Sequence, residues 1–160
     1  MKKLSHVDEK GSARMVDVSD KERTARRAVA RGKVALGPDL LSKILDGGGP
    51  KGDVLQVARI AAIQAAKRTH DLIPLCHPLR ITNVKIDFIP DFVTGDIEIS
   101  AEVKALDRTG VEMEALTAAT VAALTVYDMC KALRKDIELG PFFLLEKEGG
   151  KSGKFKKKLR

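Results

Sequence analysis

A chain of 160 residues, 44% hydrophobic and 32% charged, fits one domain and reads as globular rather than disordered. Aromatics make up only 4%, with no Trp, so the core has to be built from Ala, Val, Ile and Leu. The formal charge of +7 belongs to the end of the chain: residues 151–160 carry six basic groups and no acid, leaving 23 basic against 22 acidic groups elsewhere. The charge therefore says little about what the domain itself binds. Cys76 and Cys130 show no zinc or redox spacing, and His6, His70 and His77 form no ligand pattern, so no metal site is expected. No apolar run follows Lys2 and Lys3, and the uncharged stretch Ala115–Tyr127 is shorter than the roughly 20 residues that span a bilayer. A soluble, reduced, cytoplasmic protein is the expectation.

Residues 1–24 read as an irregular polar arm, with a turn at Gly11-Ser12 and a strand-like Met15–Val18. Thr24–Leu36 reads as extended. Gly37-Pro38-Asp39 starts a short helix through Leu40, Leu41, Ile44 and Leu45, which the glycine run of Asp46–Gly52 ends. Asp53 suits the N-cap of a long helix from Val54 to about His70. In the DLIPLCHPL that follows, Pro74 and Pro78 forbid a regular helix. From Ile81 the period becomes two: Val84, Ile86 and Phe88, then Ile97, Ile99, Ala101, Val103 and Ala105, predict an antiparallel hairpin turning at Pro90–Gly95. A nearly all-apolar helix follows within Gly110–Leu133. The last strand, Ile137–Leu145, contains Pro141 and so predicts an edge or a bulge. The order β-α-β-β-α-β is the split βαβ arrangement of ferredoxin-like α+β domains: one domain over 1–160 with the arm at 1–24 and a flexible basic tail at 147–160. A helix apolar all round needs more cover than one small sheet gives, so an oligomer is expected.

Five places could carry chemistry. Lys51 precedes Gly52-Asp53 at a helix N-terminus, a setting suited to phosphate or simply to an exposed loop lysine. His77, between two prolines, is held for a ligand contact or proton transfer, or is a satisfied core histidine. Thr109-Gly110-Val111-Glu112 fits a capping box, which would occupy Glu112 structurally. Glu114 has no such role and could be solvated in the first turn, and Met113 reads as core. Asp128 and Lys131, one helical turn apart, are either a solvated ion pair or an acid–base pair whose lysine has a lowered pKa in a cation-crowded pocket. Gly150-Lys151-Ser152 is not a phosphate loop, because Leu145 stands where the leading glycine would be; the flexible basic tail either helps hold a polyphosphate or merely solubilises the chain.

MVDVS (Met15–Ser19), KGDV (Lys51–Val54), ARIAAIQAAKRTHDLIPLCHPL, TGVEMEALTAATVAALTVYDMCKA and the terminal GGKSG together resemble the MoaC family of cyclic pyranopterin monophosphate synthases, from about residue 4 to 155. The resemblance implies a ferredoxin-like subunit assembled as a homo-hexamer, a trimer of dimers, with sites at subunit interfaces. It implies a lyase of molybdenum cofactor biosynthesis that converts 3′,8-cyclised 7,8-dihydro-GTP into cyclic pyranopterin monophosphate and releases pyrophosphate. No redox cofactor is implied, and magnesium with the triphosphate is left open. By motif, Lys51, Asp128 and Lys131 match the catalytic residues; Leu75, Cys76 and His77, with Met113 and Glu114, match the substrate-binding segments. Glu112 lies beside them, and Arg26 and Lys67 fall where substrate-binding cations are expected. Glu148 departs from the family's usual serine and puts a carboxylate near a presumed anion site.

Two other classes compete. A split βαβ sheet with a basic tail also suits an RNA-binding module, but the aromatics that would stack bases are missing. A purely structural oligomer leaves Asp128, Lys131 and His77 unexplained. No specific nucleic acid and no membrane is expected as a partner.

Overall fold

The central strand is set by alternation in Thr24–Ala35 (β1), where Ala28, Ala30, Gly32 and Val34 are buried on one side. The computed structural model describes residues 6–8 and 10–159. After β1 come the helices α1 (Pro38–Leu45), α2 (Val54–Lys67) and α3 (Thr69–Leu72), the hairpin β2 (Ile81–Asp91) and β3 (Asp96–Asp107), and the helix α4 (Glu112–Cys130). The short strands β4 (Glu138–Leu139), β5 (Phe143–Glu148) and β6 (Phe155–Lys156) complete the chain. The sheet order is β2-β3-β1-β5-β6, antiparallel throughout, with β4 also pairing β1. With β5 as fourth strand this is the expected split βαβ sheet, the helices covering one face.

The covered face carries the large apolar side chains. Leu36, Leu41, Ile97, Ile99 and Val103 are fully buried, each worth about 1.5–3 kcal/mol relative to exposure. Helix α4 meets this layer mainly through alanine: Ala115, Ala118, Ala119, Ala122 and Ala123 have no exposed surface, so helix and sheet come close without long side chains between them. The other sheet face is polar, held by Arg27–Glu102 at 2.6 Å, Lys33–Asp96 at 2.9 Å and Arg31–Glu98.

Several expectations need correcting. Met15–Val18 forms no strand; it runs beside the LCHPL segment, where the Val16 carbonyl meets His77. The helix expected to His70 breaks at Arg68 into α2 and α3, with the Thr69 hydroxyl donating to the Ala65 and Ala66 carbonyls, a local competitor for the helical pattern. The last strand is two strands, because Pro141 has no N–H to give and the chain leaves the sheet at Gly140–Pro141. A bulge follows, at Val29/Ala30 against β5. Helix α4 does keep apolar surface that one subunit leaves uncovered: Leu124 is 55% exposed, and Ile60 on α2 is 62% exposed. Residues 147–148 end β5, and 155–156 pair with it as β6.

The hairpin turn is pinned to the β1–α1 corner. Gly95 has φ +76°, a Cβ there would overlap Gly37 and Pro38, and its carbonyl accepts from the Leu36 N–H at 3.1 Å. Gly95→Ala should therefore lower stability by at least about 2 kcal/mol, from backbone strain plus steric overlap. Denaturant unfolding measures it, and a loss under about 0.5 kcal/mol, the size of an ordinary surface change, would contradict this packing.

Candidate active site

Helices α2 and α4 run antiparallel, and chemistry collects at both ends of the pair. At one end Asp53 caps α2, its carboxylate accepting from the Gln56 N–H at 3.0 Å. That cap fixes the glycine-rich loop just before it, and Lys51 reaches from the loop to the last turn of α4. Lys51 Nζ lies 3.0 Å from Asp128 Oδ2, and Lys131 Nζ lies 2.7 Å from Asp128 Oδ1. Sequence reading paired Asp128 with Lys131 through helical spacing; the structure adds Lys51, 77 residues away. One carboxylate thus bridges two ammonium groups, all three about half exposed. The Lys131 hydrogen bond, then that of Lys51, holds the Asp128 carboxyl below its ordinary range. Asp128 in turn raises the Lys131 pKa above that of a free lysine. That corrects the expectation of a lowered pKa: the neighbouring anion favours the ammonium, and the smaller opposing effect of burial does not offset it.

At the other end, the turn after α3 delivers Leu75, Cys76 and His77 against the first turn of α4. Together with Met113, Glu114 and Glu112 they line a cleft of about 440 Å³. His77 Nε2 sits 2.8 Å from the Val16 carbonyl, so the imidazole is fixed by the N-terminal arm. Glu114 is 3% exposed, not solvated. Burial, opposed by its own backbone N–H and reinforced by Glu112, pushes its pKa up to about 7. Burial, and then the Glu114 carboxylate, raises the Cys76 thiol, which makes it a neutral contact and no nucleophile.

The capping box does not form. Val111 is the N-cap of α4, without a side-chain cap bond, and Glu112 instead pairs with Lys147 at 2.7 Å. Sequence reading placed Lys147 in the tail; nothing in local spacing signals a partner 35 residues away. Arg26 donates to the carbonyls of Asp107 (3.2 Å) and Arg108 (3.0 Å) at the base of a neighbouring cleft. Lys67 is exposed in the last turn of α2 and lines neither cleft. Among the described residues no group of three His, Cys, Asp or Glu is placed to hold a metal.

Within one subunit these residues make two clusters, not one. Glu112 and Asp128 are 16 positions apart on a continuous helix, about 24 Å at 1.5 Å per residue.

The sequence model of the MoaC family matches residues 15–150, a span that contains both clusters. The chain belongs to the MoaC family. Among MoaC relatives, the cyclic pyranopterin monophosphate synthase of Heliobacterium modesticaldum is 57% identical over 155 residues, 97% of this chain and 98% of its own. That of Desulfatibacillum aliphaticivorans is 55% identical over the same shares of both chains. That of Pelotomaculum thermopropionicum is 54% identical over 158 residues, 99% of this chain and 93% of its own. No helix among the described residues is long and apolar enough to cross a membrane.

Proposed function

We propose that this MoaC-family chain is a cyclic pyranopterin monophosphate synthase of molybdenum cofactor biosynthesis. It converts 3′,8-cyclised 7,8-dihydro-GTP to cyclic pyranopterin monophosphate and pyrophosphate, as a phosphorus–oxygen lyase acting in the cytoplasm. The near-full-length identity to relatives of that name supports the reading. The observation that carries it is the Lys51–Asp128–Lys131 bridge, assembled across 77 residues of sequence and left open to a ligand.

The reaction needs two kinds of help. In the cyclisation a ribose hydroxyl oxygen attacks the α-phosphorus, loses its proton, and the bond to the β-phosphate breaks with pyrophosphate as leaving group. Cations near the phosphates stabilise the charge that builds there. Opening and reclosing the purine-derived rings requires proton transfers, and no net electron change. Lys131 rests as an ammonium and so begins as an acid, while Asp128 orients it and Lys51 serves as its partner acid–base group. The ring-recognising contacts come from Leu75–His77, Met113 and Glu114, with Lys67 and Arg26 as further cations. No bound cofactor is called for; a magnesium ion could only enter with the triphosphate.

Because the two clusters lie about 24 Å apart along α4, a complete site takes one cluster from each of two subunits. The exposed Leu124 and Ile60 supply apolar surface for the contact, and a homo-hexamer built as a trimer of dimers repeats it by symmetry.

The test is turnover of the enzymatically prepared cyclised nucleotide, with pyrophosphate and the fluorescent oxidised pterin followed together for wild type and Lys51→Ala. Wild type should give both products and Lys51→Ala neither. A folded, assembled wild type that yields neither product would overturn the assignment.

A further inference from the structure

Both arms of the Lys51–Asp128–Lys131 bridge are anchored outside it, and the anchors meet at one corner of the fold. Helix α4 ends at Lys131 with φ −57° and ψ −22°, and the next glycine is Gly140. It therefore lacks the left-handed glycine that commonly fixes the exit of a helix. The chain winds on instead in tight turns, the Leu133 and Arg134 N–H groups both donating to the Cys130 carbonyl, at 2.8 and 3.2 Å. Two side chains then hold that turn. The Tyr127 hydroxyl, one turn before Lys131 on the same helix face, donates to the Lys135 carbonyl at 3.1 Å. Arg134 grips the Asp136 carboxylate through Nε at 2.7 Å and Nη2 at 3.1 Å, which leaves Nη1 to donate to the Leu36 carbonyl at 2.8 Å.

Leu36 is a fixed point. Its side chain is fully buried, it joins β1 to α1, and its N–H is held by the Gly95 carbonyl of the hairpin. Gly37 beside it leaves the space that Arg134 occupies, since a Cβ there would lie 2.5 Å from Nη1. Behind Asp136, the Asp39 carboxylate in the first turn of α1 also attracts this guanidinium. From that corner α1 runs to Leu45, and the Gly48 N–H returns to the Lys43 carbonyl at 2.9 Å. The loop so held delivers Lys51 to Asp128. Arg134 thus joins the root of the arm that carries Lys51 to the exit of the helix that carries Asp128 and Lys131. An exposed pair with Asp136 would by itself contribute little. The bond to the main chain of a buried residue is what gives the guanidinium a fixed position, because a charged donor strengthens it.

We propose that Arg134, with Tyr127 as a second tie, is a positioning residue of the Lys51–Asp128–Lys131 bridge: it locks the turn after α4 onto the β1–α1 corner, so that both lysines converge on one carboxylate. Neither side chain needs to touch the substrate. The proposal deepens the synthase reading, on which its consequence for turnover rests.

The test uses the assembled full-length protein and two readouts. In turnover, Arg134→Met should lower kcat by about 10- to 100-fold, the cost of reacting groups displaced by a fraction of an ångström or more. KM should stay within about twofold, since the cleft of Cys76 and Glu114 is untouched, with melting temperature and assembly retained. Arg134→Lys, which keeps one donor for the Leu36 carbonyl, should recover most of the loss. Tyr127→Phe removes only the hydroxyl and should lower kcat by a smaller factor; it decides the matter if Arg134→Met fails to assemble. Without turnover, a short amine-specific difluorodinitrobenzene reagent should link Lys51 to Lys131 in wild type, read by mass spectrometry of the digest, and several times less in Arg134→Met. Turnover or cross-linking that ignores both Arg134→Met and Tyr127→Phe overturns the positioning role, and so does a wild type that forms no such link. A kcat loss that Arg134→Lys leaves unrecovered, or that comes with a fall in melting temperature, overturns it too. Because the link forms without substrate, a wild type whose link depends on Arg134 yet converts no cyclised nucleotide would fail the synthase reading and leave the positioning standing.

Discussion

Lys131→Ala and His77→Ala, each nearly inactive alone, should together recover about a quarter of wild-type turnover when equal amounts are unfolded and reassembled as mixed oligomers. In the proposed assembly each site takes the α4 C-terminal cluster of one subunit and the His77 cluster of another. A mixed dimer therefore has one site with both substitutions and one with neither. Random pairing makes half the dimers mixed, and half the sites in those are intact. Lys131→Ala should lose on the order of 10²–10⁴ in kcat, the usual worth of a positioned proton-transfer group, and His77→Ala, a lost substrate-positioning contact, on the order of 10² in kcat/KM. The folded state should hardly notice Lys131→Ala, because Asp128 and Lys131 are half exposed and such pairs contribute little to stability. Pyrophosphate release by the mixture measures the recovery. Activity that never rises above the two parents would mean that a single subunit holds its whole site, against the separation of about 24 Å along α4.

Glu114→Gln should be the more stable protein at pH 8 and no more stable at pH 4.5 to 5. The Glu114 pKa is raised to about 7 by burial first, with Glu112 the next group that pushes the same way. Cys76, which also faces it, stays neutral through this range; His6, Lys21 and His77 line the same cleft. Between about pH 4.5 and 7 the folded chain keeps a proton that the unfolded chain has lost. Folding then takes up a proton, so stability falls as pH rises through that window and levels off above it. The full difference is on the order of 3 kcal/mol at 1.36 kcal/mol per pKa unit. Gln stays neutral at every pH, so denaturant unfolding of both proteins at pH 5 and pH 8, at one subunit concentration, isolates the carboxyl. A stability difference of equal size at the two pH values would show that Glu114 does not titrate in this window.

Most of the fold could be read along the chain because its periods are clean. The alternation from Ile81 to Ala105 and the glycine stop at Asp46–Gly52 act locally, as does the Asp53 cap, and each appears where expected. The misses came from competition that no window of sequence contains. Thr109-Gly110-Val111-Glu112 satisfies a local capping pattern, yet Glu112 has a better partner in Lys147 from β5. Met15–Val18 has strand composition but pairs with none of the described strands. The site was legible in part for the same reason. Asp128 and Lys131 share a helical turn, so their contact follows from spacing; the approach of Lys51 depends on how α2 packs against α4.

The alanine seam under α4 also sets how this protein can fail by mutation. Ala58, Ala62 and Ala66 of α2 join Ala115, Ala118, Ala119, Ala122 and Ala123 of α4 in the buried layer. A methyl side chain has almost nothing to remove, so this region offers few cavity-forming lesions. It has no room to grow either, and an added methyl or hydroxyl forces overpacking that costs about 1–3 kcal/mol. Every alanine codon becomes a valine or a threonine codon by a single transition, the commonest kind of base change. A random-mutagenesis survey should therefore find its inactive variants gathered at these eight alanines, far from either cluster of charged residues, with the leucines and isoleucines of the sheet more forgiving of exchange for one another.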